Sequence, residues 1–200
     1  RQSTWTCVTG TMPRVGLKDV RLGIGHCALD STLGGYYQDI TPALPLIEGG
    51  YHGEFDESGV PAFRLGDKRH YHSATIAQYA LALHDASTRS RSSDEAASLE
   101  GKLRTQLSAI ERRIETAGAW RGFAVSDWDN RKYPQLRAGW VSAMCQGNMV
   151  SALLRGWQRF GEERWRGLAE MAFRALEKPL QEGGACVREN GSSPKTLPYS

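Results

Sequence analysis

With 200 residues and a formal net charge of +3, the chain is long enough for one domain that buries about 70% of its unfolded surface. That charge is too small to argue for a nucleic-acid partner, although it does not oppose a polyanionic sugar. Its 40% hydrophobic and 24% charged residues are ordinary for a globular fold, and no run of about 18 apolar residues is present to form a membrane span.

Residues 1–35 are rich in Gly, Thr and Ser, with short apolar pieces such as Val20-Arg21-Leu22-Gly23-Ile24. They read as irregular chain with a short strand or two. The chain opens on Arg1 without a basic-then-apolar leader, so it reads as trimmed or partial and says little about its compartment. His26 reads as a structural or exposed histidine, and a Cys7–Cys27 disulfide is left open.

Gly35-Tyr36-Tyr37-Gln38-Asp39-Ile40 follows. Paired tyrosines beside an amide and an acid suit a sugar site, because rings stack on pyranose faces while polar neighbours read the hydroxyls. The same residues suit an edge strand with one ring buried. Pro42, Pro45, Gly49, Gly50 and Gly53 break the next stretch. Phe55-Asp56-Glu57-Ser58-Gly59-Val60-Pro61 then reads as a tight turn or hairpin tip. Glu57 is either a solvated turn acid or a base and hydroxyl ligand.

Arg69-His70-Tyr71-His72 leads into a helix capped by Ser73, whose apolar face carries Ile76, Tyr79, Ala80 and Leu83. His70 and His72 are two ligands with nothing to fix a third, so no metal is expected. A loop before a helix N-terminus better suits an anion such as a uronate carboxylate. After a polar linker at 87–95, Ser93 can cap a scaffold helix with the stripe Leu99, Leu103, Leu107, Ile110 and Ile114. Trp120 and Trp128 in the next connector are core rings or sugar contacts.

Residues 139–184 read as two amphipathic helices, 139–160 and 162–181, joined at Phe160-Gly161-Glu162 and stopped by Gly183-Gly184. The first spaces Trp140, Met144, Val150, Leu153, Leu154 and Trp157 helically; the second does so with Trp165, Leu168, Ala169, Ala172, Phe173, Leu176 and Leu180. The short connection predicts antiparallel neighbours with Trp157 and Phe173 buried. Periodicity alone supports only a structural hairpin. Yet a packing helix has no need of Gln146, and Gly147 costs it roughly 1 kcal/mol against Ala. Cys145 in the same run reads as a small buried thiol. None of Cys7, Cys27, Cys145 and Cys186 forms a CxxC pair, which argues against a structural zinc site.

The run Gly139-Trp140-Val141-Ser142-Ala143-Met144-Cys145-Gln146-Gly147 resembles Gly-Trp-Tyr-Ser-Ala-Met-Ala-Gln-Gly. That pattern belongs to the C-terminal domain of the D-glucuronyl C5-epimerases of heparan sulfate and heparin synthesis and their bacterial relatives. The family's following Leu-x-Arg-Ala-Tyr stands here as Leu154-Arg155-Gly156-Trp157. Ile76-Ala77-Gln78-Tyr79-Ala80-Leu81 is similar to a second family run, Ile-Ala-Gln-Tyr-Gly/Ala-Leu, in the same order along the chain. Tyr36-Tyr37-Gln38-Asp39 and the acidic turn after Phe55 also have family counterparts. Two departures stand out. Val141 occupies the family's Tyr position, and 185–200, Tyr199 included, shows no counterpart of the family's Trp-Tyr-Glu-Glu-Tyr-Pro.

The resemblance implies a mainly all-α fold, part of an incomplete α/α toroid with a small loop or β region in front. It divides the chain into an irregular segment 1–35, an epimerase-like domain 36–184 and an irregular tail 185–200. The implied reaction converts D-glucuronyl to L-iduronyl residues of a glycosaminoglycan-type polymer by removing and returning the C5 proton. It needs a base and an acid on opposite faces, and donors or cations that hold the carboxylate. Candidate catalytic residues are Tyr71, His72 and Tyr37. Candidate substrate-binding residues are Tyr36, Glu57, Arg69, His70, Gln78, Trp140 and Gln146, with Gln78 and Gln146 expected near one cavity. No metal or cofactor is expected. The implied partners are an acidic polysaccharide of heparosan or heparan type and a second copy of the chain in a homodimer, not nucleic acid. Two other readings stand beside this one: a polysaccharide lyase, and a non-catalytic sugar-binding or scaffold remnant. Without the phenol at Val141, the downstream segment and enough helices to close a toroid, the chain is expected to bind uronate polymers weakly and epimerise them slowly.

Overall fold

The computed structural model describes residues 22–24, 33–34, 36–51, 53–115, 121–130, 132–179, 182, 186–187 and 195–196. Cys7, His26, Cys27, Trp120, Leu180, Gly183, Gly184 and Tyr199 lie outside the described residues, as do the expectations attached to them. Among the described residues helix outweighs strand by 55% to 12%, so the fold is mainly helical with a small strand region in front.

In chain order, β1 (Gly23–Ile24) pairs antiparallel with β2 (Gln38–Asp39), and a 3₁₀ turn at Thr41–Ala43 runs into α1 (Leu44–Glu48). β3 (Glu54–Phe55), β4 (Pro61–Leu65) and β5 (Lys68–His70) form an antiparallel meander. The acidic turn expected at its first tip is there. Asp56 Oδ1 accepts from the amides of Ser58 and Val60, each at 2.9 Å, an Asx-type turn that holds the chain at Gly59. Four long helices follow: α2 (Ser73–Arg89), α3 (Ser93–Glu111), α4 (Ala143–Phe160) and α5 (Glu163–Glu177). β6 (Cys186–Val187) and β7 (Lys195–Thr196) pair within the segment expected to be an irregular tail.

α2 is the centre of the fold. Ile76, Ala77, Ala80, Leu81 and Leu83 on it are all buried, as befits a helix packed on most sides. α3 lays Leu103, Leu107 and Ile110 against it, and α4 adds Met149, Ala152 and Leu153. α4 approaches α3 closely because residue 156 is glycine: a Cβ there would lie 2.4 Å from Leu107 Cδ1. α5 covers α4 with Trp165, Ala169 and Ala172. Gly161, at φ 71°, closes α4 in the left-handed conformation and sends α5 back antiparallel, as the short connection predicts.

Several expected boundaries and burials shift. α3 is capped by Ser92, not Ser93; the Ser92 hydroxyl accepts from the Glu95 amide at 3.3 Å. α2 begins at Ser73 with His72 at the cap position. α4 begins at Ala143 rather than 139, because Ser142 caps it and Trp140 is drawn off into a bridge with Ser126. α5 ends at Glu177 rather than 181. Lys178 takes an extended ψ of 137°, the conformation imposed on a residue before proline, here Pro179. Phe173 is 52% exposed, which corrects the expectation that it is buried. The buried stripe of α5 is set by Trp165, Ala169 and Ala172, and Phe173 sits about 100° further round. Trp157 is half-buried, and its indole N–H donates to Glu163 at 2.9 Å.

The two hairpins α2–α3 and α4–α5 stack so that α2 and α4 run parallel. Their N-termini meet where His72 Nε2 lies 3.9 Å from Cys145 Sγ, and further along both helices Arg155 feels the charge of Asp85. Closure into a toroid is not seen among the described residues.

Candidate active site at the amino ends of two helices

The meander ends by delivering three residues to the start of α2. Consecutive side chains of an extended segment point to opposite sides. His70 and His72 accordingly face one way and Tyr71 the other. On the histidine side, His70 Nδ1 and Asp127 Oδ1 are 3.0 Å apart. Trp128 then packs edge-on to the His70 ring and tilted against that of His72, with centroids 6.0 Å and 5.8 Å away. Phe63 and Trp140 flank Trp128 at 5.1 and 5.5 Å, and the Trp140 indole donates to the Trp128 carbonyl at 2.8 Å. His72 is fixed between the two helix starts, with Nδ1 3.2 Å from Thr75 Oγ1 and Nε2 facing Cys145. Burial pushes the Cys145 thiol pKa up, so it behaves as the small apolar group expected of it.

On the other side, the Tyr71 hydroxyl donates to Asp56 Oδ2 at 3.0 Å, and the Arg113 guanidinium lies over its ring, 4.1 Å from the centroid. Arg113 is half-buried and donates to the Ala109 carbonyl at 2.7 Å. Burial lowers its pKa, opposed by Tyr71, Asp56 and Asp127. Among the described residues no carboxylate lies within ion-pairing distance of it. Asp127 bonds His70, and its charge also reaches Arg113, as the smallest of the influences on that guanidinium.

The remaining expected residues divide. Arg69 is committed to the meander, pairing with Glu54 at 3.0 Å and Glu57 at 2.9 Å. Glu57 is on the exposed tip, and the hydrogen bonds of Arg69 hold its carboxyl below the usual range. Tyr36 lies further along α4. Its hydroxyl donates to Asn148 at 2.7 Å and its ring lies under Arg155, 5.5 Å away. Tyr37 is 59% exposed against it. Gln78 is half-buried on α2.

Gln146 faces inward rather than toward a cavity. It is 1% exposed and its amide nitrogen donates to the carbonyls of Gly122 and Ala172, the latter at 3.1 Å. Its oxygen accepts from the Ala124 amide at 3.4 Å. The clamp pins the 121–124 connector between α4 and α5. Gly122, at φ 89°, is needed there because a Cβ would lie 2.7 Å from the Met171 carbonyl oxygen. Val141 is buried with Phe123 and Ala175, so the side chain at the family's Tyr position is core.

Sequence reasoning missed Asp56, Arg113 and Asp127. Arg113 follows Arg112 just past the end of α3, where basic residues are common for dipole reasons alone, so its role left no signal. Among the described residues no group of three His, Cys, Asp or Glu side chains could hold a metal ion, and no helix is long and apolar enough to cross a membrane.

Residues 115–192 match the family model for the D-glucuronyl C5-epimerase C-terminus. The match covers less than half of the chain and is a similarity of that stretch to part of the domain; the matched stretch supplies Asp127, Trp128, Trp140 and Cys145 to the site. No curated protein and no solved structure gives a significant match to the chain.

Proposed function

We propose that this partial epimerase domain acts on an acidic, glycosaminoglycan-type polysaccharide and converts D-glucuronyl to L-iduronyl residues by moving the proton at C5. The observation that carries the reading is Arg113. It is a partly desolvated guanidinium, stacked on Tyr71, with no carboxylate partner of its own among the described residues. A cation in such a place attracts an incoming carboxylate more strongly than one in bulk water. The uronyl carboxylate is also where negative charge builds when the C5 proton leaves, so the same contact favours the transition state.

Tyr71 on one side of the segment and His70 with His72 on the other supply proton carriers of two kinds. Removal on one face and return on the other is what inversion at C5 requires. The electron pair left at C5 spreads into the carboxylate and takes the returning proton, so atoms and electrons balance without a redox partner. Asp127 orients His70, and the partly buried Trp128 and Trp140 are rings of the kind that stack on a pyranose. Val141 is buried and takes no part.

The test is incubation with a heparosan-type polymer in D₂O, read by NMR at C5. Deuterium entry with appearance of iduronyl signals is the expected result. An ultraviolet-absorbing unsaturated uronate would make the protein a lyase instead. Binding without exchange would reduce it to a sugar-binding module.

A further inference from the structure

A second group of cations gathers along α5, where the clamped connector meets it. A cavity of about 360 Å³ is lined by Arg121, Gly167, Glu170, Met171, Arg174 and Lys178. Among the described residues none of the three cations has an ion-pair partner, while Glu170 lies 3.8 Å from Arg166. The helix dipole accounts for Arg174 and Lys178 near the C-terminal end of α5. It does not account for Arg121, which comes from a different segment. Arg121 is held there by its neighbour: Gly122 meets α5 backbone at a distance only glycine permits, and Gln146 bonds both Gly122 and Ala172. The fold therefore brings a third positive charge to two others against their mutual repulsion. A volume in this range suits one or two sugar-sized groups.

Position adds to this. α5 runs antiparallel to α4, so its C-terminal end lies at the end of the molecule where α4 begins. The connector passes from Arg121 to Asp127, which bonds His70. Six residues of chain separate the two, so their backbones are at most about 22 Å apart. The geometry points to Arg121, Arg174 and Lys178 as an outlying anion subsite. It takes a carboxylate or sulfate group of the same acidic polysaccharide, on a sugar other than the one whose C5 reacts. This inference rests on the proposed polysaccharide substrate for the ligand's identity, and on the cavity and its charges for its place. Carboxylate and sulfate share the chemistry of a compact oxyanion, which guanidinium groups bind through paired N–H donors.

Affinity of the full chain is measured for unsulfated heparosan oligosaccharides of graded length and for sulfated heparin-derived ones of the same lengths, at low and high salt. The variants are Arg121→Gln/Arg174→Gln/Lys178→Gln and, as a control of equal net charge away from the cavity, Lys68→Gln/Arg91→Gln/Lys102→Gln. The pocket variant should lose about tenfold in affinity for long oligosaccharides at low salt, less at high salt, since exposed ion pairs are modest and screened. It should leave the shortest oligosaccharides unaffected, and the control should behave as the parent chain. A larger loss for the sulfated series assigns sulfate; equal losses assign carboxylate. Equal affinity of pocket variant and parent, an equal loss in the control, an equal loss for the shortest ligands, or no binding by the parent would each overturn the subsite. So would single-stranded DNA of matched charge binding as tightly as the saccharide. Failure of the C5 exchange leaves these affinities readable, so the subsite and the epimerase reading fall separately.

Discussion

Two tyrosines in this protein each lie beneath an arginine and donate to a side-chain oxygen. Tyr71 has Arg113 and Asp56; Tyr36 has Arg155 and Asn148. In residue type the two constellations nearly coincide, and the difference is access. Tyr36, Asn148 and Arg155 are 5%, 7% and 6% exposed. Arg155 is spent on the carbonyls of Ser151 and Gly34, and burial pushes the Tyr36 hydroxyl pKa far up, with Tyr37 adding to the effect. Tyr71 and Arg113 are half-buried, and Tyr71 stands between His70 and His72 in the segment that leads into α2. A packed Tyr–Arg pair ties a segment to a helix. An open one has room for a third party, and that contrast separates scaffold from site.

Substitutions can break the contrast from either end. The largest effect belongs to the open pair. Arg113→Gln removes the cation proposed to hold the carboxylate, so C5 deuterium entry should fall about 10²–10³-fold, the scale for losing one donor to a developing oxyanion. Thermal stability should fall only modestly, because the guanidinium makes one carbonyl bond, the stacking contact with the Tyr71 ring and no ion pair among the described residues. A large loss of stability with unchanged exchange would place Arg113 with the scaffold.

Next in size is the clamp. Gln146→Leu strands the inward-facing Ala124 amide and strips donors from the Gly122 and Ala172 carbonyls. A buried group left without its partner costs about 1–3 kcal/mol, so unfolding in urea should shift by about 2 kcal/mol. The loop that presents Asp127 should also loosen, and exchange should fall with it.

Tyr36→Phe tests the closed pair. It removes one buried hydrogen bond and leaves Asn148 Oδ1 without its donor, at a cost of about 1 kcal/mol in urea unfolding. Exchange at C5 should match the parent chain. A drop in exchange larger than the drop in stability would put Tyr36 in the site after all.

The sequence made the helices and the hairpin order legible because apolar spacing and turn residues act locally. The stripe Leu103, Leu107 and Ile110 and the Gly161 turn are examples. It marked Tyr71 and His72 because they stand before a helix start. It could not show that His70 is paired by a residue 57 positions away, or that Arg69 is taken up by Glu54 and Glu57 while Arg113 has no carboxylate partner among the described residues. Both facts depend on tertiary contacts that no periodicity encodes. Gln146 misled for a related reason. A polar residue in an apolar helix marks either a ligand or a buried backbone group in need of a donor, and only the fold distinguishes them. Phe173 fitted the apolar spacing of α5, yet the short alanines beside it set the buried face.

The smallest expected effect concerns the attachment of the Tyr36 segment, and it is set by pH. Asp39 follows Tyr36 by three residues and bonds Arg89 of α2 at 2.7 Å and Thr41 at 2.6 Å. Burial is the largest single influence on its carboxyl and acts to raise its pKa. The hydrogen bonds from Thr41 and Arg89 together outweigh burial and hold the pKa below the ordinary value of 3.8. A carboxyl whose pKa is lower folded than unfolded stabilises the fold above the unfolded value, and that contribution disappears as pH falls through the folded one. Stability should therefore decline on acidification below about pH 4, and Asp39→Asn should flatten this part of the profile. The change should be a few tenths of a kcal/mol, since the Arg89 side chain is 49% exposed and such pairs are screened. Amide hydrogen exchange followed down the same pH range should show protection lost first around residues 36–41, with that around Tyr71 retained. The reverse order would make the open pair the less stable of the two and would remove Asp39 as the source of the acid limb.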